Sequence, residues 1–314
     1  MKCTLGIDTS CYTTSVALFT EDKRFLSEAR RILTVKPGGR GLAQSEMVYQ
    51  HTRYLPDVLA KAIETAGKDI KINRIGVTVK PRPLANSFMP AFLVGESFAK
   101  TLALTHKAML YPLSHQENHI LAGLWSSGVA ISDKFLAVHA SGGTTEITAV
   151  TYNNSGMYVE LLGGSIDIAA GQFIDRIGVA IGLPFPAGPQ LEKLAGEAQC
   201  VPYPLPVAVQ KGSISFAGPE SHAQRALKNG ESSVTIAAGV QVCVAKSLYK
   251  LIQFAVEQTG LKDILLVGGV GSNNFIRDYI TKKLSAGGSR LYFPEAKFSS
   301  DNALGAAWFA ACSS

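Results

Sequence analysis

At 314 residues, with 46% apolar and 17% charged side chains, the chain is long enough for two hydrophobic cores and too apolar for a disordered one. Its formal charge of +6 permits a polyanionic partner such as RNA without demanding one, because no extended basic run occurs. Five scattered cysteines, none spaced Cys-x-x-Cys, exclude a disulfide framework and a zinc ribbon and fit a reducing cytosol. No apolar run approaches the ~18 residues of a membrane span, and strand character already at Thr4 argues against a signal peptide.

Residues 5–17 are an apolar run, a small-residue turn and a second alternating apolar run, the pattern of a β-hairpin with a hydroxyl-rich turn. Pro and Gly break the chain at 36–41. Residues 44–66 then show apolar helical spacing, with Pro56 as a kink or restart. A short buried strand at 75–79 ends in a Pro-rich loop at 80–90, and a second helix runs to about Leu104. Ser114 and Glu117 form a Ser-x-x-Glu capping box, which starts a helix at Ser114.

Residues 136–148 repeat the opening hairpin without a gap, so that His139 aligns with Asp8 and Ser141-Gly142-Gly143 with the first turn. Asp167 and Asp175 fall in a helical stretch. Residues 182–189 join two helices, 201–207 form a Pro-rich crossing, and 232–258 read as a long helix. A buried strand at 264–267 runs into Gly268-Gly269-Val270-Gly271-Ser272-Asn273 and a helix. The last helix starts after Ser299-Ser300, with Asp301 at its beginning, and continues to Ala311.

Two opening hairpins predict a duplicated α/β chain. The first lobe is placed at 1–112, with a C-terminal helix at 300–314 packing back on it. The second is placed at 113–299, with a metal and nucleotide cleft between the lobes. His115 and His119, four apart on one helix, can reach one ion; two solvent-exposed histidines are the plainer alternative. Gln116 stands where a zincin protease needs its glutamate. Ser141-Gly142-Gly143-Thr144-Thr145 is either a phosphate-binding turn or simply a hairpin turn. Gly268 and Gly269, after a strand and before a helix, suit a nucleotide in the same two-sided way. Asp301 can serve the helix dipole, and Asp167 and Asp175 can be solvated acids.

In order along the chain, several motifs together resemble the TsaD family of tRNA threonylcarbamoyladenosine synthases, once called glycoprotease-like. They are Gly6-Ile7-Asp8-Thr9-Ser10-Cys11, His115-Gln116-Glu117-Asn118-His119, Ser141-Gly142-Gly143 and Ser165-Ile166-Asp167-Ile168-Ala169-Ala170-Gly171. Phe173-Ile174-Asp175, the loop at 182–189, Gly268 to Asn273 and Phe298-Ser299-Ser300-Asp301-Asn302 follow. The resemblance implies an actin-like, sugar-kinase-like and Hsp70-like ATPase fold with duplicated ribonuclease-H-like halves. It implies one divalent metal, iron or zinc, on His115, His119 and Asp301, with His139 as a candidate fourth ligand. Adenine nucleotide or threonylcarbamoyl-adenylate would contact His139, Ala140, Ser141, Gly142, Gly143, Asp175, Gly188 and Asn273, beside Gly268 and Gly269.

The activity so implied is transfer of threonylcarbamoyl from its adenylate to the N6 amine of the adenosine next to the tRNA anticodon. A homologous small-subunit partner, an ATPase partner and a cytoplasmic location come with it. The chain departs from the family pattern at four places. Tyr12 and Thr13 replace two acids, Thr144 replaces a histidine, the 80–90 loop replaces Ala-Gly-Pro-Gly-Leu, and Glu220 replaces a lysine. These departures leave a non-catalytic nucleotide-binding paralogue, regulating or scaffolding a partner, as the alternative.

Overall fold

The structure is a computed structural model describing residues 1–35, 42–67, 70–129, 131–153, 156–198 and 201–313. The break expected at 36–41 and Cys200 lie outside the described residues. The chain divides into two units, Met1–Val129 with Asp301–Ser314, and Ala130–Ser300.

The first unit opens with the expected hairpin. Strand β1 (Lys2–Asp8) pairs antiparallel with β2 (Thr13–Thr20), with Ile7 opposite Val16 and Asp8 opposite Ser15. Both are buried almost throughout, as strands covered on two faces must be. Strand β3 (Phe25–Ile32) follows, then α1 (Gln44–Ala66), β4 (Lys71–Lys80), α2 (Phe92–His106), β5 (Met109–Ser114) and α3 (His115–Ser127). Helix α1 passes through Pro56 without a restart. The strand order is β3-β2-β1-β4-β5, with β1, β4 and β5 parallel.

The second unit repeats this plan. Strands β6 (Lys134–Ala140) and β7 (Thr145–Asn153) form the second hairpin, with His139 opposite Glu146. Then come β8 (Gly156–Ser165), α4 (Ala170–Ala180), α5 (Gly188–Gly196), β9 (Ala208–Gln210), β10 (Ser213–Ser215), α6 (Ala217–Lys228), α7 (Ser233–Thr259), β11 (Asp263–Val267), α8 (Asn274–Ser285) and β12 (Arg290–Tyr292). The order β12-β11-β6-β7-β8-β10-β9 contains the first sheet's order, with β6, β7, β8, β11 and β12 standing for β1 to β5. Helix α7 is long and apolar enough to cross a membrane by length and composition, but 72% of that stretch is buried in the protein.

The last helix, α9 (Leu304–Cys312), returns to the first unit. Gly6 and Gly76 are register partners on β1 and β4, and they form a bare track under this helix. A Cβ on Gly76 would run into the Ala306 carbonyl, and one on Gly305 into the Asn118 carbonyl of α3. Asn118 clamps the same joint, its Nδ2 donating to the Asn302 carbonyl at 2.7 Å and its Oδ1 accepting the Ala306 N–H at 2.8 Å. The joint explains why α3 belongs to the first unit and not, as the boundary at 112/113 had it, to the second.

Two acids also sit elsewhere than expected. Asp301 does not begin α9, which starts at Leu304 with Ala303 as its N-cap; Asn302 lies just before that cap, its Oδ1 accepting the Leu304 N–H at 3.0 Å. Asp167 precedes α4 and is not helical. Its carboxylate accepts the Ile168 and Phe216 N–H groups at 2.6 and 2.9 Å and the Ser215 hydroxyl at 2.5 Å. Asp167 therefore ties the end of β8 to the start of α6. Burial raises its pKa, but these bonds outweigh that effect and hold it below the ordinary carboxylate value.

Candidate metal centre and glycine turns

His115 is the first residue of α3, fixed there by the capping box read from the sequence. The Ser114 N–H donates to Glu117 Oε2 at 2.7 Å, and the Glu117 N–H returns to Ser114 Oγ at 3.2 Å. One turn on, His119 presents its Nε2 at 3.0 Å from His115 Nε2. Asp301 Oδ1 stands 3.3 Å from His119 Nε2 and 3.7 Å from His115 Nε2. The three ligand atoms lie within 4.8 Å of one another. Neither imidazole is the solvent-exposed histidine of the plainer alternative: His115 is 9% and His119 4% exposed.

The other nitrogen of His115, Nδ1, lies 3.3 Å from Asp8 Oδ2. Asp8 is fully buried at the end of β1, and the Thr78 hydroxyl and the Ser10 N–H and hydroxyl all donate to it, at 2.6, 3.0 and 3.0 Å. Burial would raise the Asp8 pKa, yet His115, through its charge and proximity, and the Thr78 bond hold it below the ordinary value. Burial likewise depresses His115, but the Asp8 and Asp301 carboxylates more than compensate and raise it. A carboxylate on one ring nitrogen turns the other towards the ligand cluster, the arrangement that orients metal-binding histidines.

The donor set fits a borderline divalent ion. Two Nε2 atoms on a tetrahedral zinc would stand roughly 3.3 Å apart, given bonds of about 2.0–2.1 Å, close to the 3.0 Å found. Two imidazoles and one carboxylate suit zinc or iron better than magnesium, which prefers oxygen. Cys11, on the β1–β2 turn, offers no thiolate, since burial and the charges of Asp301 and Asp8 push its pKa far up. His51 of α1 is a supporting residue: its Nε2–H donates to the Cys11 carbonyl at 3.3 Å and its Nδ1 accepts the Thr14 hydroxyl at 2.8 Å. That pairing fixes one neutral tautomer.

The ligands were expected across two lobes. All three instead lie in the first unit, because α3 ends it and the segment from Asp301 completes it. His139, the candidate fourth ligand, is a buried residue of β6 in the second unit.

In the second unit the β6–β7 turn is held by Ser141, whose Oγ accepts the Thr144 and Gly143 N–H groups at 3.1 and 3.4 Å. Gly142 and Gly143 are exposed, and a Cβ on either would meet nothing. Neither packing nor a left-handed backbone requires glycine at these two positions. The start of α4 abuts this turn, with the Gly171 N–H donating to the Ser141 carbonyl at 3.0 Å. On its other side Gly268, at φ +96°, packs against Ala140 and His139. Gly188 and Gly269 are open in the same way as Gly142.

Asn273 caps α8, accepting the Ile276 N–H at 2.9 Å, and donates to Gln241 Oε1 at 2.8 Å. Beside it a cavity of about 360 Å³ is lined by Glu192, Ala195, Ala238, Gln241 and Phe275 among others. Asp175 accepts the Ala187 N–H at 2.8 Å, so it braces the loop before α5, and burial raises its pKa.

The family model for tRNA N6-adenosine threonylcarbamoyltransferase, TsaD, matches residues 29–308. The chain belongs to the TsaD family. It is 32% identical over 303 residues to a tRNA N6-adenosine threonylcarbamoyltransferase of Thermus thermophilus, covering 95% of this chain and 88% of that one. Component A of the (R)-2-hydroxyglutaryl-CoA dehydratase of Acidaminococcus fermentans superposes with a TM-score of 0.60 at 16% identity, covering 99% and 98% of the two chains. A ROK hexokinase from Thermus thermophilus does so at 0.54 and 15%, covering 98% and 97%. These neighbours establish the actin-like, sugar-kinase-like fold, and TsaD membership makes the chain a transferase.

Reading the sequence of this TsaD chain missed the roles of Asp8, Ser10 and Thr78 around His115, and of Glu192 and Gln241 beside Asn273. Asp8 was visible only as a motif residue, and its partners lie 70 residues or more away, apart from the adjacent Ser10. A buried acid at a strand end, aligned with His139 in the repeat, was the one available signal.

Proposed function

We propose that this transferase moves a threonylcarbamoyl group from its adenylate to the N6 amine of the adenosine next to the anticodon of tRNA. One divalent ion, iron or zinc, would be held by His115, His119 and Asp301. The observation that carries the reading is the convergence of two Nε2 atoms and a carboxylate within 4.8 Å, in a chain of this family. When bound, the ion would supply charge neutralisation for the departing AMP and polarise the mixed anhydride.

The chain's own residues do the positioning. Asp8 keeps His115 turned towards the ligand cluster. The Ser141-Gly142-Gly143 turn offers backbone N–H groups to phosphate beside the start of α4, and its bare glycines admit the ligand closely. The cavity lined by Gln241, the partner of Asn273, takes the adenine base, and Gly268, Gly269 and Asn273 flank the adenosine. Asp175 offers its Oδ2 to a ribose or threonyl hydroxyl, and Gly188 leaves room at the next helix. A phosphate and base held in this way lower the cost of bringing the amine to the mixed-anhydride carbonyl, a gain from positioning and not from new chemistry. His139 is proposed to flank the turn. A homologous small subunit, an ATPase and a cytoplasmic setting belong to the same reading.

The test supplies purified protein with threonylcarbamoyl-adenylate and unmodified tRNA and analyses the digested nucleosides. N6-threonylcarbamoyladenosine is expected. Its absence from protein that still holds metal and nucleotide would favour the non-catalytic paralogue.

A further inference from the structure

Both ends of the loop between β4 and α2 rest beside His115. At its start Lys80 is the register partner of Ser114, and the Pro81 carbonyl accepts the Gln116 N–H at 3.1 Å. At its end the Phe92 ring stands edge-on to the His115 imidazole, with centroids 6.2 Å apart. A substrate held at His115 therefore meets residues 81–91.

The loop is well braced. Pro81, Pro83 and Pro90 restrict its backbone. The Arg82 N–H donates to Ser87 Oγ at 3.0 Å, the Ser87 N–H to the Leu84 carbonyl at 3.2 Å, and Lys80 Nζ to the same carbonyl at 3.4 Å. It carries two cations and no carboxylate. Phe88 stands 67% exposed, and Arg82 is exposed as well.

A second ring stands on the same edge. Strands β1, β4 and β5 are parallel, so their ends at Asp8, Lys80 and Ser114 come to one side of the sheet. The β1–β2 turn leaves from that side with Tyr12, 36% exposed, its carbonyl accepting the Leu33 N–H at 2.8 Å. Cations interleaved with exposed aromatic rings are how proteins hold unpaired nucleotides, whose base faces stack while their phosphates pair with charge. A duplex hides those faces.

We propose that the 80–91 loop, together with Tyr12, is the surface on which unpaired RNA bases stack on their way to His115. Phe88 and Tyr12 supply stacking faces, and Lys80 and Arg82 take phosphates. The inference rests on the RNA acceptor proposed above and assigns the surface that receives it.

The test titrates the full-length protein into a fluorescent anticodon stem-loop RNA, and into an RNA duplex of equal length, reading anisotropy across a salt series. Phe88→Ala should weaken stem-loop binding by about 5- to 100-fold, the range for one lost stacking partner. Lys80→Ala with Arg82→Ala should flatten the log–log salt slope by roughly 1.4, the value for two phosphate contacts on a single strand. Melting temperature and metal content should be unchanged in both. Wild-type RNA affinity in the Phe88 variant, an unaltered salt slope in the double variant, or equal affinity of the unmodified protein for duplex and stem-loop would overturn the assignment. If the unmodified protein bound no RNA at all, the acceptor reading would fall along with it.

Discussion

The two units share a strand order and use the same hairpin turn in opposite ways. In the first, Asp8, Thr9 and Ser10 are buried and bonded. Thr9 Oγ1 donates to the Ala91 carbonyl and accepts the Gly95 N–H, both at 3.0 Å, while Asp8 and Ser10 converge on His115. In the second, the aligned turn has shed its side chains at Gly142 and Gly143, and nothing packs where they would be. Charge divides as well: the first unit has 16 Lys and Arg against 11 Asp and Glu, the second 14 against 13. One frame therefore carries two kinds of turn, one with its side chains locked together and one with its backbone left bare.

The comparison is most directly broken at its glycines. Gly76→Val should destabilise the first unit by about 3 kcal/mol or more, because the new side chain meets backbone of α9 and not a yielding side chain. Gly143→Val should stay within about 0.5 kcal/mol of wild type. Chemical denaturation measures both, and equal losses would erase the distinction. Next in size, His115→Ala with His119→Ala should abolish stoichiometric metal in protein purified without chelator. A full equivalent retained on elemental analysis would show that the ion sits elsewhere.

Asp8→Asn keeps the size of the side chain and removes the charge behind His115. Metal affinity, read by chelator competition, should fall about 10- to 100-fold, and unaltered affinity would reduce Asp8 to a structural acid. On the other unit, Gly143→Val and Gly269→Val should weaken AMP binding about tenfold, the size of one charge-assisted hydrogen bond. Calorimetry with both variants decides whether the bare turns serve a ligand. Smallest of all, Asn273→Ala should cost about 1 kcal/mol through the lost α8 cap, measurable as a shift in denaturation midpoint with metal content unchanged.

Local chemistry was legible in the sequence wherever the pattern was itself local. The paired hairpins, the Ser114–Glu117 cap that places both histidines, and the buried β11 leading into glycines all stand as read. The edge and outer strands were not legible. β3 ends in Arg30, Arg31 and Ile32, partly or fully exposed, and β8 carries Gly163 and Gly164, so neither shows clean alternation. β5 contains Pro112, which its edge position tolerates. Asp301 was misplaced at a helix start because α9 begins only at Leu304, three residues later, with the Leu304 N–H donating to the Asn302 side chain ahead of the helix. Asp167 looked like a solvated helical acid because its partners Ser215 and Phe216 are far along the chain.

The first unit is discontinuous, and this orders events during synthesis. Asn118 and Asn302, which clamp its final joint, are 184 residues apart in the chain. At translation rates of about 5–20 residues per second, that gap lasts roughly 10–40 s. Throughout this interval a nascent chain displays both histidines on a helix whose neighbour α9 has not been made. Asp301 and the helix that seals Gly76 arrive together, so a truncated product lacks the third member of the His115–His119–Asp301 cluster and the seal at once. Synthesis of the segment from Asp301 through α9, and not hairpin formation, thus becomes the moment at which His115, His119 and Asp301 can first converge.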